Sequence, residues 1–142
     1  MIVLAAVLMP AMLAMVGLVI DGGMSYAEFR RTQTAADSSA LAAATYLWKN
    51  TTAQCSATSN TPSSDACGSL NYASVQGYRS DTGATVTVIH PAANSGTYSS
   101  TQYATYGDYV YVTISRPLSS FFIHIIFHGS IKVEASAIAG IS

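Results

Sequence analysis

The sequence predicts an α+β chain: one long N-terminal helix over residues 1–49, then a small, mostly antiparallel β-sheet within residues 50–142. Three observations carry that prediction. Met1 to Ile20 (MIVLAAVLMPAMLAMVGLVI) contains no charged and no strongly polar side chain. Past a step of Asp21, Gly22 and Gly23, apolar and small residues recur at intervals of three and four. Three later segments then alternate apolar and polar residues.

The apolar run comes first. Twenty helical residues extend roughly 30 Å, the thickness of a bilayer's hydrocarbon core. The run therefore reads as a membrane or filament-core segment rather than the buried helix of a soluble domain. Its apolar side chains include Leu4, Val7, Leu8, Leu13, Val16, Leu18 and Ile20. A secretory signal would show a basic n-region and a small-residue cleavage site, and neither is seen. The abrupt apolar start suggests that a short charged leader has been removed or that the sequence simply begins there. Pro10 removes one backbone donor, and Gly17, Gly22 and Gly23 are places where the helix could bend or melt.

Residues 24–49 continue with good helix formers and no proline. Tyr26, Phe29, Gln33, Ala36, Ala40, Ala44, Leu47 and Trp48 fall on one face of an amphipathic helix, with most of the charges off it. The whole helix would measure roughly 70 Å. The alanines at 36, 40 and 44 allow two readings: close approach of packed helices, or simple helix propensity.

Residues 50 to about 82 are rich in Ser, Thr, Asn and Gly and read as loop, with a helical turn near Leu70–Tyr78. They hold both cysteines of the chain, Cys55 and Cys67. A lone pair in a polar loop of an exported chain reads as a disulfide, against two free thiols or half of a metal site. Asn50-Thr51-Thr52 fits a glycosylation acceptor at Asn50. Strands are expected at 84–89, 108–115 and 130–137. Val86 and Val88, then Val110, Val112 and Ile114, then Ile131 and Val133 would form the core faces. The apolar run at 121–127 (FFIHIIF) fits either a buried strand or a short helix.

Composition excludes several functions. Half of the 142 residues are hydrophobic and only 9% are charged, so lipid or further copies of the chain should cover part of the surface. The net charge of -1 provides no basic footprint for nucleic acid. No phosphate-binding loop, dinucleotide fingerprint, nucleophile elbow or zinc-protease motif occurs, so no catalytic residues, cofactor or small-molecule substrate are expected. His90, His124 and His128 lack the further ligands that a metal site requires. Asp21, at the end of the apolar run, is costly unless paired or wet. It fits the membrane–water boundary, or a charge contact between subunits that could also involve Arg30 or Arg31. The nine tyrosines fit an adhesive or subunit-contact surface, or simply strand propensity.

The stretch LMPAMLAMVGLVIDGGMSYAEFRRTQTAADSSALAAA resembles the N-terminal segment of the TadE/TadG-like proteins of tight-adherence, or Flp-type, pilus systems. The matching positions are Pro10, Asp21, Gly22, Tyr26, Arg30, Arg31, Gln33, Ala35, Ala36, Asp37, Ala40, Leu41 and Ala42. The closing stretch is similar at Val110, Val112, Arg116, Pro117, Phe121, Phe122, Gly129, Val133, Ala135 and Ala137. Larger family members carry a further C-terminal adhesion-type domain, for which this sequence leaves no room. Processed type IV pilins place a glutamate at the fifth mature position, where this sequence has Ala5 if Met1 is the mature start. The resemblance implies an exported, pilin-like structural subunit, inserted in the inner membrane as a precursor. Such a subunit would polymerise with itself into a helical surface filament, handled by the pilus-assembly machinery. The alternative it implies is a membrane-anchored minor component that primes or assists assembly.

Overall fold

The structure, a computed structural model, describes residues 2–49, 68–90, 92, 109–118, 122 and 131–140. Helix α1 runs unbroken from Ile2 to Lys49, through Pro10 and through Gly17, Gly22 and Gly23. None of the expected weak points interrupts it. Hydroxyls that would otherwise compete with the helix are absorbed by it: Ser25, Thr32, Thr34 and Thr45 each donate to the carbonyl four residues earlier. Lys49, in the last turn, sits where a cation favours the helix dipole.

A short helix α2 (Ser69–Val75) follows, in the stretch expected to hold a helical turn. It ends in a Schellman cap: the Gly77 N–H donates to the Ser74 carbonyl and the Tyr78 N–H to the Ala73 carbonyl. The cap needs a left-handed residue, and Gly77, at φ 90, supplies it. The Ser69 hydroxyl donates to the Ser39 carbonyl at 2.9 Å, tying α2 to α1 in the interior.

Strands β1 (Thr85–Ile89), β2 (Tyr109–Leu118) and β3 (Ile131–Gly140) form a three-stranded antiparallel sheet in that order. Strands β2 and β3 each run three residues further than alternation alone suggested. The register sets Val88 beside Val112 and Val112 beside Ala137, and sets Val86 beside Ile114 and Ile114 beside Ala135. Because side chains alternate, these residues share one face. That face is buried against Ala35, Ala36, Ala40, Ala43 and Leu47 of α1. The second half of the helix and the sheet thus share one core.

The buried face of α1 differs from the expected one at its aromatic positions. Tyr26, Phe29 and Trp48, expected inward, are 64%, 46% and 67% exposed. Ala36, Ala40, Ala44 and Leu47 are buried as expected, and Thr32, Ala35, Ser39 and Ala43 join them. Most of these side chains are small, and β3 presents Ala135 and Ala137 to the same core. Small residues on both surfaces let helix and sheet approach closely, and an aromatic ring between them would force them apart. Gln33 lies at the edge of this face, its Nε2 donating to the Ser136 carbonyl at 3.1 Å and to the Asp37 carboxylate at 2.9 Å. The alanine row therefore serves packing within the chain.

Candidate assembly surface

Between Leu4 and Ile20 every residue of α1 except Gly17 is exposed. Leu4, Val7, Leu8, Leu13, Val16, Leu18 and Ile20 are each 46–67% exposed, and Met9, Met12, Met15 and Val19 join them. Large apolar side chains point outward all round the helix. Burying such a side chain stabilises by about 1.5–3 kcal/mol, so this surface favours transfer out of water. By length and composition the helix can cross a membrane.

The junction between bare and packed helix is built around Asp21 and Phe122. Asp21 is buried, and one of its carboxylate oxygens accepts the Phe122 backbone N–H at 2.9 Å. The Phe122 ring lies over Gly17 so closely that a Cβ there would come within 2.7 Å of it. Glycine is required at this approach. The carboxylate that closes the apolar run is thus engaged within the chain, one helical turn from an aromatic ring set against the helix.

Two turns further on lies a polar clasp that the sequence did not reveal. Glu28 on α1 accepts from the Arg116 guanidinium of β2 at 2.9 Å. The guanidinium stands over the Tyr78 ring, 5.7 Å from its centroid. The Tyr78 hydroxyl lies 3.1 Å from the Thr32 hydroxyl and 3.5 Å from the Glu28 carboxylate. Thr32 also donates to the Glu28 carbonyl, and the Tyr78 hydroxyl donates to the Glu28 carboxylate. Burial pushes the Tyr78 phenol above its ordinary 10.0, with the Glu28 charge acting in the same direction; the Thr32 bond and the Arg116 charge oppose them. The clasp joins helix α1, the α2 cap and the middle strand. It is an arrangement that holds these elements together.

Arg30 and Arg31 are exposed beside this clasp. With Glu28, Thr34, Tyr78 and Arg116 they line an open groove of about 440 Å³. Among the described residues neither has an ion-pair partner. Cys55, Cys67 and Asn50 lie outside the described residues, as do His124 and His128. Among the described residues no three His, Cys, Asp or Glu side chains gather as a metal site would require.

The bare apolar half-helix leading into a carboxylate step and a small-residue packed half is matched by one comparison. Residues 1–45 match the family model described as putative Flp pilus-assembly TadE/G-like. The match ends within the packed half of α1 and includes Asp21, Arg30 and Arg31. It supports a pilus-related role and points to a structural rather than a catalytic protein. A pilus-related chain with a bare N-terminal helix also fits membrane insertion and the cell surface. No curated protein and no solved structure matches the chain.

Proposed function

We propose that the chain is a structural subunit of an extracellular pilus-like filament, inserted in the inner membrane before assembly and polymerising with copies of itself. The observation that carries this reading is the bare apolar surface of α1 from Leu4 to Ile20, continuous with a packed domain. Lipid would cover that surface in the precursor, and neighbouring copies would cover it in the fibre. Association entropy opposes assembly, but several large side chains per subunit, each stabilising by about 1.5–3 kcal/mol, exceed a cost of that order. Residues 2–23 would then act as the assembly element, and the packed half of α1 with the sheet as the domain displayed to water. A disulfide between Cys55 and Cys67 would close a loop in that displayed domain, and thiol labelling of the denatured, unreduced chain tests it.

A second reading is supported by the words of the family description, which speak of pilus assembly. In it the chain remains a membrane-anchored minor component, with the same bare helix serving only as an anchor. Electron microscopy of purified surface filaments, with mass spectrometry of their main protein band, separates the two. The structural-subunit reading expects this chain as the main band. Filaments built from another protein, with this chain retained in the membrane fraction, would establish the minor role.

A further inference from the structure

We propose that Arg30 and Arg31 form a docking surface for anionic phospholipid headgroups, holding the packed domain against the membrane before assembly. The proposal rests on the reading of residues 4–20 as a membrane span. Three observations point to a lipid surface. The first is continuity: the bare apolar helix leads directly into exposed Met24, Tyr26 and Phe29, and then into the two arginines. That is the order of a membrane boundary, with apolar span, aromatic belt and cations following one another along one element.

The second observation is distance. Nine residues, or about 14 Å of helix, separate Asp21 from Arg30. Helical side chains lean toward the N-terminus, and an extended arginine covers roughly half of that length while its stem stays on apolar surface. The guanidinium groups then reach the interfacial layer, which adds about 5–7 Å to each side of the hydrocarbon core.

The third observation is charge. Arg116, in the same groove, is already paired with Glu28, whereas Arg30 and Arg31 have no ion-pair partner among the described residues. Among the described residues Asp21, Glu28, Asp37 and Asp81 are engaged within the chain, which leaves exposed Glu134 as the carboxylate a second copy would bring to them. An anionic leaflet supplies phosphates at the required depth, and two surface arginines bind it additively.

The test uses the full chain reconstituted in bilayer discs containing equal amounts of phosphatidylglycerol and phosphatidylcholine. Native mass spectrometry then reads the lipids retained on release. Wild type should retain phosphatidylglycerol over phosphatidylcholine by roughly thirtyfold, the order expected of two arginines acting additively at an anionic surface. The double variant Arg30→Gln/Arg31→Gln should lose that preference, and Arg30→Lys/Arg31→Lys should keep most of it. Arg79→Gln, which removes an exposed arginine paired with Asp81, should leave it unchanged. Circular dichroism of each variant confirms that the fold is retained. Equal retention of both lipids by an inserted wild-type chain would overturn the proposal alone, as would a preference that survives the double glutamine variant. A chain that alkaline extraction strips from bilayers of either composition would overturn the membrane reading and this proposal with it.

Discussion

From Leu4 to Ile20, helix α1 carries leucine, valine, isoleucine and methionine and hides almost none of them; from Thr32 to Leu47 it buries one face, and that face is mostly alanine. The usual rule of large apolar residues inside and small or polar ones outside is inverted along a single helix. The packed half is built from small residues because the sheet lies close against it. The bare half is built from large ones that no described part of the chain covers. In the proposed reading their partners are lipid and then other copies. Asp21, Gly17 and Phe122 mark where one regime gives way to the other.

The strongest way to break the packed half is a charge in its core. Val112 is fully buried between Val88 and Ala137. Val112→Asp would bury an unpaired carboxylate at a cost of several kcal/mol and should unfold the domain. Leu18→Ser, on the bare half, should leave the denaturation midpoint of the detergent-solubilised protein unchanged. If both variants melt like wild type, the division of the helix is wrong.

Packing supplies a subtler probe. Ala40 is buried against the sheet, and Ala40→Leu should overpack that contact by about 1–3 kcal/mol. The same enlargement at exposed Ala11 should cost nothing measurable. Chemical denaturation of the two variants gives the contrast directly. Similar losses at both positions would mean that the bare half is also packed within the chain.

The clasp is expected to contribute less. The Glu28 carboxylate accepts from Arg116 at 2.9 Å, with the two side chains 17% and 36% exposed. Glu28→Gln should cost about 1–2 kcal/mol, the lower part of the range for a charge-assisted bond because solvent screens it. A double-mutant cycle with Arg116→Gln measures the coupling, and a coupling near zero would remove the clasp from the account.

The smallest effect concerns pH. Burial raises the Tyr78 phenol above 10.0, so the unfolded chain ionises this group first. Tyr78 therefore contributes stability that is complete below pH 10.0 and declines as pH rises from there towards its folded value. Tyr78→Phe should flatten the fall in melting temperature above that pH. An unchanged slope would show that the phenol is solvated in the folded chain.

Much of this fold was legible because it is local. Alternation at Val86 and Val88, at Val110, Val112 and Ile114, and at Val133 gave the strands and their inward face. The uninterrupted apolar run gave the bare half-helix. At Tyr26, Phe29 and Trp48 hydrophobicity is a misleading sign of burial, because the close sheet selects small size instead. The clasp was not legible. Glu28 and Arg116 lie 88 residues apart, and Tyr78 enters through a helix cap. The one available clue was scarcity: in a chain with only 9% charged residues, each charge needs a reason. Asp21 stands out in the sequence for its cost in apolar surroundings, yet its bond to the Phe122 amide depends on a contact across 101 residues.

The most direct test of the two-regime helix is Leu13→Lys, placed in the middle of the bare half and away from the sheet. The variant should keep the melting behaviour of the domain in detergent, because Leu13 is 66% exposed and takes no part in the shared core. It should nonetheless abolish assembly, since each copy would bury an unpaired ammonium at every repeat of the fibre. Cells making only the L13K chain would be imaged by electron microscopy, and the protein content of any fibres identified. No fibres containing the variant are expected. Fibres of normal number that contain it, or abundant fibres lacking this chain altogether, would contradict the claim that the bare half of α1 is the filament core.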